Sequence, residues 1–240
     1  MINNKPGRIL LVIFFVALAA ELLAIISRIP AIRYVSKPLL MPALAAWYFM
    51  QPRAVKTPLN VFVPVAVFFS WLGDLFLLFE DRQPLFFMTG LVSFLIAHII
   101  YLLYFSRIRT ASGSWYRLGW LIPLAVYYYL FMRLLDPGLG ALRWPVRIYG
   151  LTICLMLFTS IRLPLTRSSA GSKMLAGALL FVLSDSLLAT DRFYQPVPLA
   201  GCWIMLTYGV AQLLIVTGAA QQQSVNTLPG NGTGNKTVST

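Results

Sequence analysis

Charge is scarce in this chain: 11% of its 240 residues are charged, and only seven are acidic. Soluble domains carry about 25% charged and roughly 45–50% apolar residues. Here 59% are hydrophobic and 14% aromatic. A single core stops growing near roughly 250 residues, so a globule of this length could not hide so much apolar surface. That excludes an ordinary soluble enzyme, a disordered chain and a disulfide scaffold. Histidine is almost missing too: His98 is the only one, beside two cysteines, Cys154 and Cys202. Such a set argues against a metal site, since zinc takes three or four N, S or O ligands. A Ser-His-Asp triad would have to use His98, and no Gly-x-Ser-x-Gly elbow is present. Walker and Gly-rich dinucleotide fingerprints are likewise absent. The cysteines fall inside apolar runs, where they read as small packing residues.

What is present is a series of long apolar runs. About 20 such residues cross a bilayer as a helix, and eight candidates appear: 9–27, 32–50, 59–79, 84–105, 116–135, 146–163, 171–190 and 198–218. The second is the weakest, because Arg33, Lys37, Pro38 and Pro42 interrupt it. The first run continues through Ile26, beyond a signal-peptide apolar region, and reads as an uncleaved anchor. These features predict an all-α polytopic membrane bundle of eight transmembrane helices with short loops. It would occupy residues 1–222, followed by a disordered polar tail over 223–240 rich in Asn, Gly, Thr and Ser.

The net charge of +12 invites a nucleic-acid reading, but the cations are spread thinly over many loops with no basic stripe. We therefore expect membrane lipids rather than nucleic acid as partners. Eleven cations fall on the side of the termini and eight on the other, which also holds Glu80, Asp81, Asp136 and Asp191. Both termini are accordingly expected in the cytoplasm, with the chain in an inner membrane of bacterial type. Oligomeric state is not legible.

The three remaining acids lie inside predicted spans: Glu21, Asp74 and Asp185. An ionisable residue at such a position is costly, and by default marks function. Each lies five or six residues before the outer end of its helix, at one common depth of roughly 8–9 Å. Lys37 enters from the same side, so a shared polar pocket is expected, with His98 deeper. Gly73-Asp74…Leu77-Leu78…Asp81-Arg82 resembles Ser184-Asp185…Leu187-Leu188…Asp191-Arg192 four spans later, as a tandem parallel repeat requires. Structural readings stand beside these. Glu21 would snorkel or pair with a nearby cation; the aspartates would pair with Lys37, Arg82 or Arg192. His98 with Tyr101, and Tyr208 with Gln212, would only bind helices together.

Paired carboxylates are the chemistry that remains. A carboxyl removed from water can keep its proton and act as a general acid, while a better-solvated partner accepts one from water. That division suits hydrolysis through an oxocarbenium-like cation, and in one leaflet of a membrane the natural substrate is a lipid.

The run Lys37-Pro38-Leu39-Leu40 is followed by Ser70-Trp-Leu-Gly-Asp74-Leu-Phe-Leu-Leu, Gly90 and Ala97-His98-Ile-Ile-Tyr101. Then come Ala178-Leu-Leu-Phe181-Val-Leu-Ser-Asp185 and Tyr208-Gly-Val-Ala-Gln212. In order, spacing and span position these resemble the YhhN family, eight-span lysoplasmalogenases, over about residues 30–217. The resemblance implies hydrolysis of the vinyl ether of a lysophospholipid substrate, to a fatty aldehyde and glycerophosphoethanolamine or glycerophosphocholine. It implies Asp74 and Asp185 as the acting carboxylates, with Lys37, His98, Tyr208 and Gln212 lining the site and no cofactor. One aspartate would protonate the vinyl carbon while the other steadies the cation and activates water. Lys37, expected near the interface, would hold the phosphate as a point charge. The alternative is a non-enzymatic transporter or lipid-binding protein, supported by the repeat.

Overall fold

The computed structural model describes residues 5–51, 58–108, 118–163 and 170–225. Eight α-helices follow one another within them: α1 (Lys5–Ser27), α2 (Pro30–Phe49), α3 (Phe62–Leu77), α4 (Pro84–Arg107), α5 (Leu121–Leu139), α6 (Arg143–Ile161), α7 (Ala170–Phe193) and α8 (Ala200–Val225). A 3-10 turn over Pro58–Val61 leads into α3, and another over Gly140–Leu142 joins α5 to α6. Among the described residues there is no strand. Every helix falls on one of the eight apolar runs. Six stretches are long and apolar enough to cross a membrane, including the 44-residue Leu118–Ile161 that contains both α5 and α6. The polar tail from residue 226 onward, and the cations Arg53, Lys56, Arg109, Arg117, Arg167 and Lys236, lie outside the described residues.

Neighbouring helices pair as hairpins (α1 with α2, α3 with α4, α7 with α8), and α4 also packs on α6. The α1–α2 turn is tight. Ile29 N–H bonds Ala24 O at 2.9 Å, and Arg28 sits at φ 54, a left-handed position usually given to glycine. Pro30 then opens α2, where its missing N–H costs nothing.

The prolines inside α2 are answered from a neighbouring helix. Pro42 has no N–H for the carbonyl four residues earlier. That carbonyl, Pro38 O, accepts instead from Trp71 Nε1 of α3 at 2.9 Å. Between α7 and α8 the backbones approach closely at Gly177, where a Cβ would lie 2.8 Å from Ala211 O. Small residues allow such contact in membrane bundles. Outward faces stay apolar: Val16 of α1 is 62% exposed and Ile122 of α5 71%. In a soluble protein that band would be an aggregation hazard; in a bilayer it faces lipid. The chain is an integral membrane protein whose polar groups converge where α2, α3, α4, α6, α7 and α8 meet.

Candidate active site

Two polar clusters occupy the interior, one around each aspartate. Asp74 on α3 accepts from the Tyr208 hydroxyl of α8 at Oδ2, 2.8 Å away. Lys37 Nζ of α2 lies 4.0 Å from Oδ1, with the two side chains 7% and 2% exposed. Lys37 is therefore enclosed by protein and not a freely exposed cation. Its ammonium is enclosed against a carboxylate, because a buried cation needs a paired anion. One turn along α8, Gln212 donates from Nε2 to Ser70 Oγ (2.8 Å) and accepts at Oε1 from the Tyr101 hydroxyl (2.7 Å). The i,i+4 spacing of Ser70 with Asp74, and of Tyr208 with Gln212, puts each pair on one helix face. Together these bonds join α3, α4 and α8.

Asp185 on α7 accepts from the Tyr149 hydroxyl of α6 at Oδ2, 2.6 Å away. His98 Nε2 of α4 lies 3.7 Å from the same oxygen. The imidazole is fully buried, packed edge-on against Phe181 (centroids 4.5 Å apart) and Tyr149 (5.3 Å). Among the described residues neither ring nitrogen has a hydrogen bond of full geometry, although the Phe94 backbone one turn earlier is near enough to act on the ring. Phe181 also meets Tyr208 at 5.5 Å, so ring contacts run from Tyr208 through Phe181 to His98 and link the clusters.

The helices around the two aspartates correspond. Asp74 is met from α2 and α8, and Asp185 from α6 and α4. A shift of four helices exchanges these sets, the relation that two parallel four-helix repeats would have.

Glu21 is placed elsewhere. Its Oε1 accepts from Arg33 Nε at 3.1 Å and its Oε2 from Ser36 Oγ at 2.6 Å. Both oxygens are used in tying α1 to α2, the pairing with a nearby cation named above as its structural reading. The single pocket expected for three acids and a lysine is thus divided among separate partners. Outside the spans, burial pushes the Glu80 carboxyl above the usual carboxylate range, with Arg192 acting against it.

Asp185 lines a small cavity of ≈ 50 Å³ between α4, α5, α6 and α7. Its wall is largely aromatic and aliphatic, including Phe87, Tyr127, Phe131, Ile153 and Val182, and Asp185 is its only acid. Beside Asp185, the Tyr127 and Ser186 hydroxyls bond each other at 2.6 Å. Tyr149 carries no motif in sequence and was not singled out there. The internal repeat is the one signal for it, since it stands near the start of α6 as Lys37 does in α2. Phe181 lies inside a quoted motif, yet its role as the link between clusters is visible only in space. Among the described residues no three His, Cys, Asp or Glu side chains converge as a metal site.

Known proteins resemble this chain in sequence. The chain is 31% identical over 196 residues to lysoplasmalogenase TMEM86A from Homo sapiens, covering 76% of this chain and 77% of that protein. It is 38% identical over 138 residues to lysoplasmalogenase TMEM86B from Homo sapiens, covering 57% and 55% respectively, and so spans little more than half of that relative. TMEM86A from Bos taurus is 29% identical over 195 residues. No solved structure matches. The YhhN family pattern matches residues 32–219, which contain Lys37, Asp74, His98, Tyr101, Tyr149, Asp185, Tyr208 and Gln212 but not Glu21. With more than three-quarters of its length inside that match, the chain belongs to the YhhN family.

Proposed function

We propose that the chain is a lysoplasmalogenase that hydrolyses the vinyl ether of a lysophospholipid within the membrane. It would cross the bilayer eight times, with both termini in the cytoplasm. The observation that carries this reading is Asp185, a lone carboxylate on the wall of an otherwise apolar cavity. A hydrocarbon chain suits such a wall, since small-molecule sites are mostly apolar with a few placed polar groups.

The two aspartates take unequal parts. Asp185, held by Tyr149, transfers a proton to the vinyl carbon distal to the ether oxygen, giving an oxocarbenium ion. Its carboxylate then faces that cation. His98 accepts a proton from the water that adds to the cationic carbon. As the bond from the hemiacetal carbon to the glycerol oxygen breaks, that oxygen takes the proton from His98, the hemiacetal hydroxyl gives its proton to Asp185, and the fatty aldehyde is released with both groups restored. Asp74, paired with Lys37, fixes Tyr208 against Phe181 and so the ring wall behind His98.

The test is aldehyde release from lysoplasmalogen by purified protein in detergent micelles. Asp185→Asn should lose at least about 10²-fold of turnover, the usual share of general acid catalysis. Asp74→Asn should lose less, with the protein still folded. Full turnover in Asp185→Asn would overturn the assignment. The matching helix sets around the aspartates favour a second reading, a transporter built on a repeat. Transport needs two compartments and hydrolysis does not, so aldehyde formation in micelles decides between them.

A further inference from the structure

On the opposite side of the α5–α6 seam from the cavity lies an open groove of ≈ 430 Å³. It is lined by Tyr129 and Arg133 of α5, by Trp144 and Arg147 of α6, and by Tyr128 and Met132. Tyr128 and Met132 also line the cavity, so the two spaces share a wall. The wall is thin because Gly150 faces it. A Cβ there would lie 3.0 Å from Met132 Cε and 3.4 Å from the Tyr128 ring.

The groove's charge is unbalanced. Arg147 Nη2 bonds Asp136 at 2.7 Å, and Arg143 Nε lies 3.3 Å from the same oxygen. One carboxylate therefore serves two guanidinium groups, while Arg133 is exposed and has no acidic partner among the described residues. Guanidinium is the cation best shaped for phosphate. Tyr129 and Trp144 beside it are the residue types that settle at headgroup level. Arg147 and Tyr149 are two residues apart on α6, a rise of about 3 Å but about 200° of turn, so α6 presents Arg147 to the groove and Tyr149, which holds Asp185, to the cavity at nearly one level. In a lysoplasmalogen, the glycerol backbone alone separates the phosphate from the vinyl ether.

We propose that the α5–α6 groove, through Arg133 and Arg147, binds the phosphate of the lysophospholipid whose chain fills the cavity behind Tyr128 and Met132. This rests on the function proposed above and moves the headgroup site from Lys37 to the outer face of the α5–α6 hairpin.

The experiment is calorimetric titration of the full-length protein in detergent with two non-hydrolysable lipids. These are a 1-O-alkyl lysophosphatidylcholine and the 1-O-alkylglycerol of the same chain, which lacks phosphate. Arg133→Gln should weaken the phospholipid about tenfold, as loss of a hydrogen bond to a charged group does. It should change the alkylglycerol less than twofold. Arg133→Lys should recover part of the loss. Equal weakening of both lipids, or of neither, overturns the proposal. So does competition by diacyl phosphatidylglycerol as strong as by the lysolipid, which would make the groove a general membrane contact. Binding is read separately from aldehyde release. Failure of the hydrolysis reading therefore appears as a wild-type protein that binds both lipids without cleaving lysoplasmalogen.

Discussion

Lys37 and Asp74 show what one buried pair does in a membrane interior. Neither side chain has useful access to water, so each depends on the other, and Tyr208 supplies the remaining strong bond to the carboxylate. Removing one partner of a buried pair leaves an uncompensated charge. Lys37→Met should therefore lower stability by about 3 kcal/mol, seen as earlier thermal unfolding in detergent. Lys37→Met with Asp74→Asn should recover most of it, since the stranded charge is gone. Unequal losses of this kind would not follow if the lysine served only a ligand. The sequence showed which residues were costly to bury, because an ionisable group in an apolar run is visible in one dimension. It offered Lys37 as a partner for the aspartates and a cation for Glu21, but not which hydroxyl meets which carboxylate. Tyr149 meets Asp185 from 36 residues away, and Tyr208 meets Asp74 from 134.

At the scale of a helix, α2 is the instructive case. Read along the chain it is the poorest span, broken by Arg33, Lys37, Pro38 and Pro42. In the structure Arg33 meets Glu21, Lys37 meets Asp74, and the carbonyl freed by Pro42 meets Trp71. A hydropathy scan sees the cost of each interruption and not its partner, which is why α2 reads as weak. Trp71→Phe keeps the ring and removes the donor, leaving Pro38 O without its bond. A loss of about 1–3 kcal/mol is expected. Adding Pro42→Ala should restore part of it, because the new backbone N–H can bond the same carbonyl. The double variant melting below Trp71→Phe alone would show that the indole acts through packing instead. Whether α2 crosses the bilayer is read by reporter fusions placed after Arg28 and after Gln51. Opposite sides are expected; the same side would reduce the count to seven.

Across the whole molecule, the direction in which each helix faces was not legible. Counting residues at about 1.5 Å of rise put Glu21, Asp74 and Asp185 on one level, from which a common pocket followed. The position of a helix around the bundle has no such arithmetic. Glu21 is spent between α1 and α2, and the two aspartates open toward different neighbours. The eight helices themselves were readable because each falls on a long apolar run. The resemblance between the two aspartate motifs was readable as well, though the matching sets of helices around Asp74 and Asp185 appear only in the assembled bundle.

The thin wall of Tyr128 and Met132 between cavity and groove has a final consequence. The bond that the proposed hydrolysis would break beside it is the only tether between an oily half and a salt-like half of a lysoplasmalogen. Once it is cut, nothing holds either product to the compartment of the other. Glycerophosphate esters wash off into water, whereas the aldehyde stays dissolved in the bilayer. Product inhibition should then track the aldehyde's mole fraction in the lipid phase and fade as that phase is enlarged. The membrane surrounding the enzyme is, in that sense, also its waste reservoir.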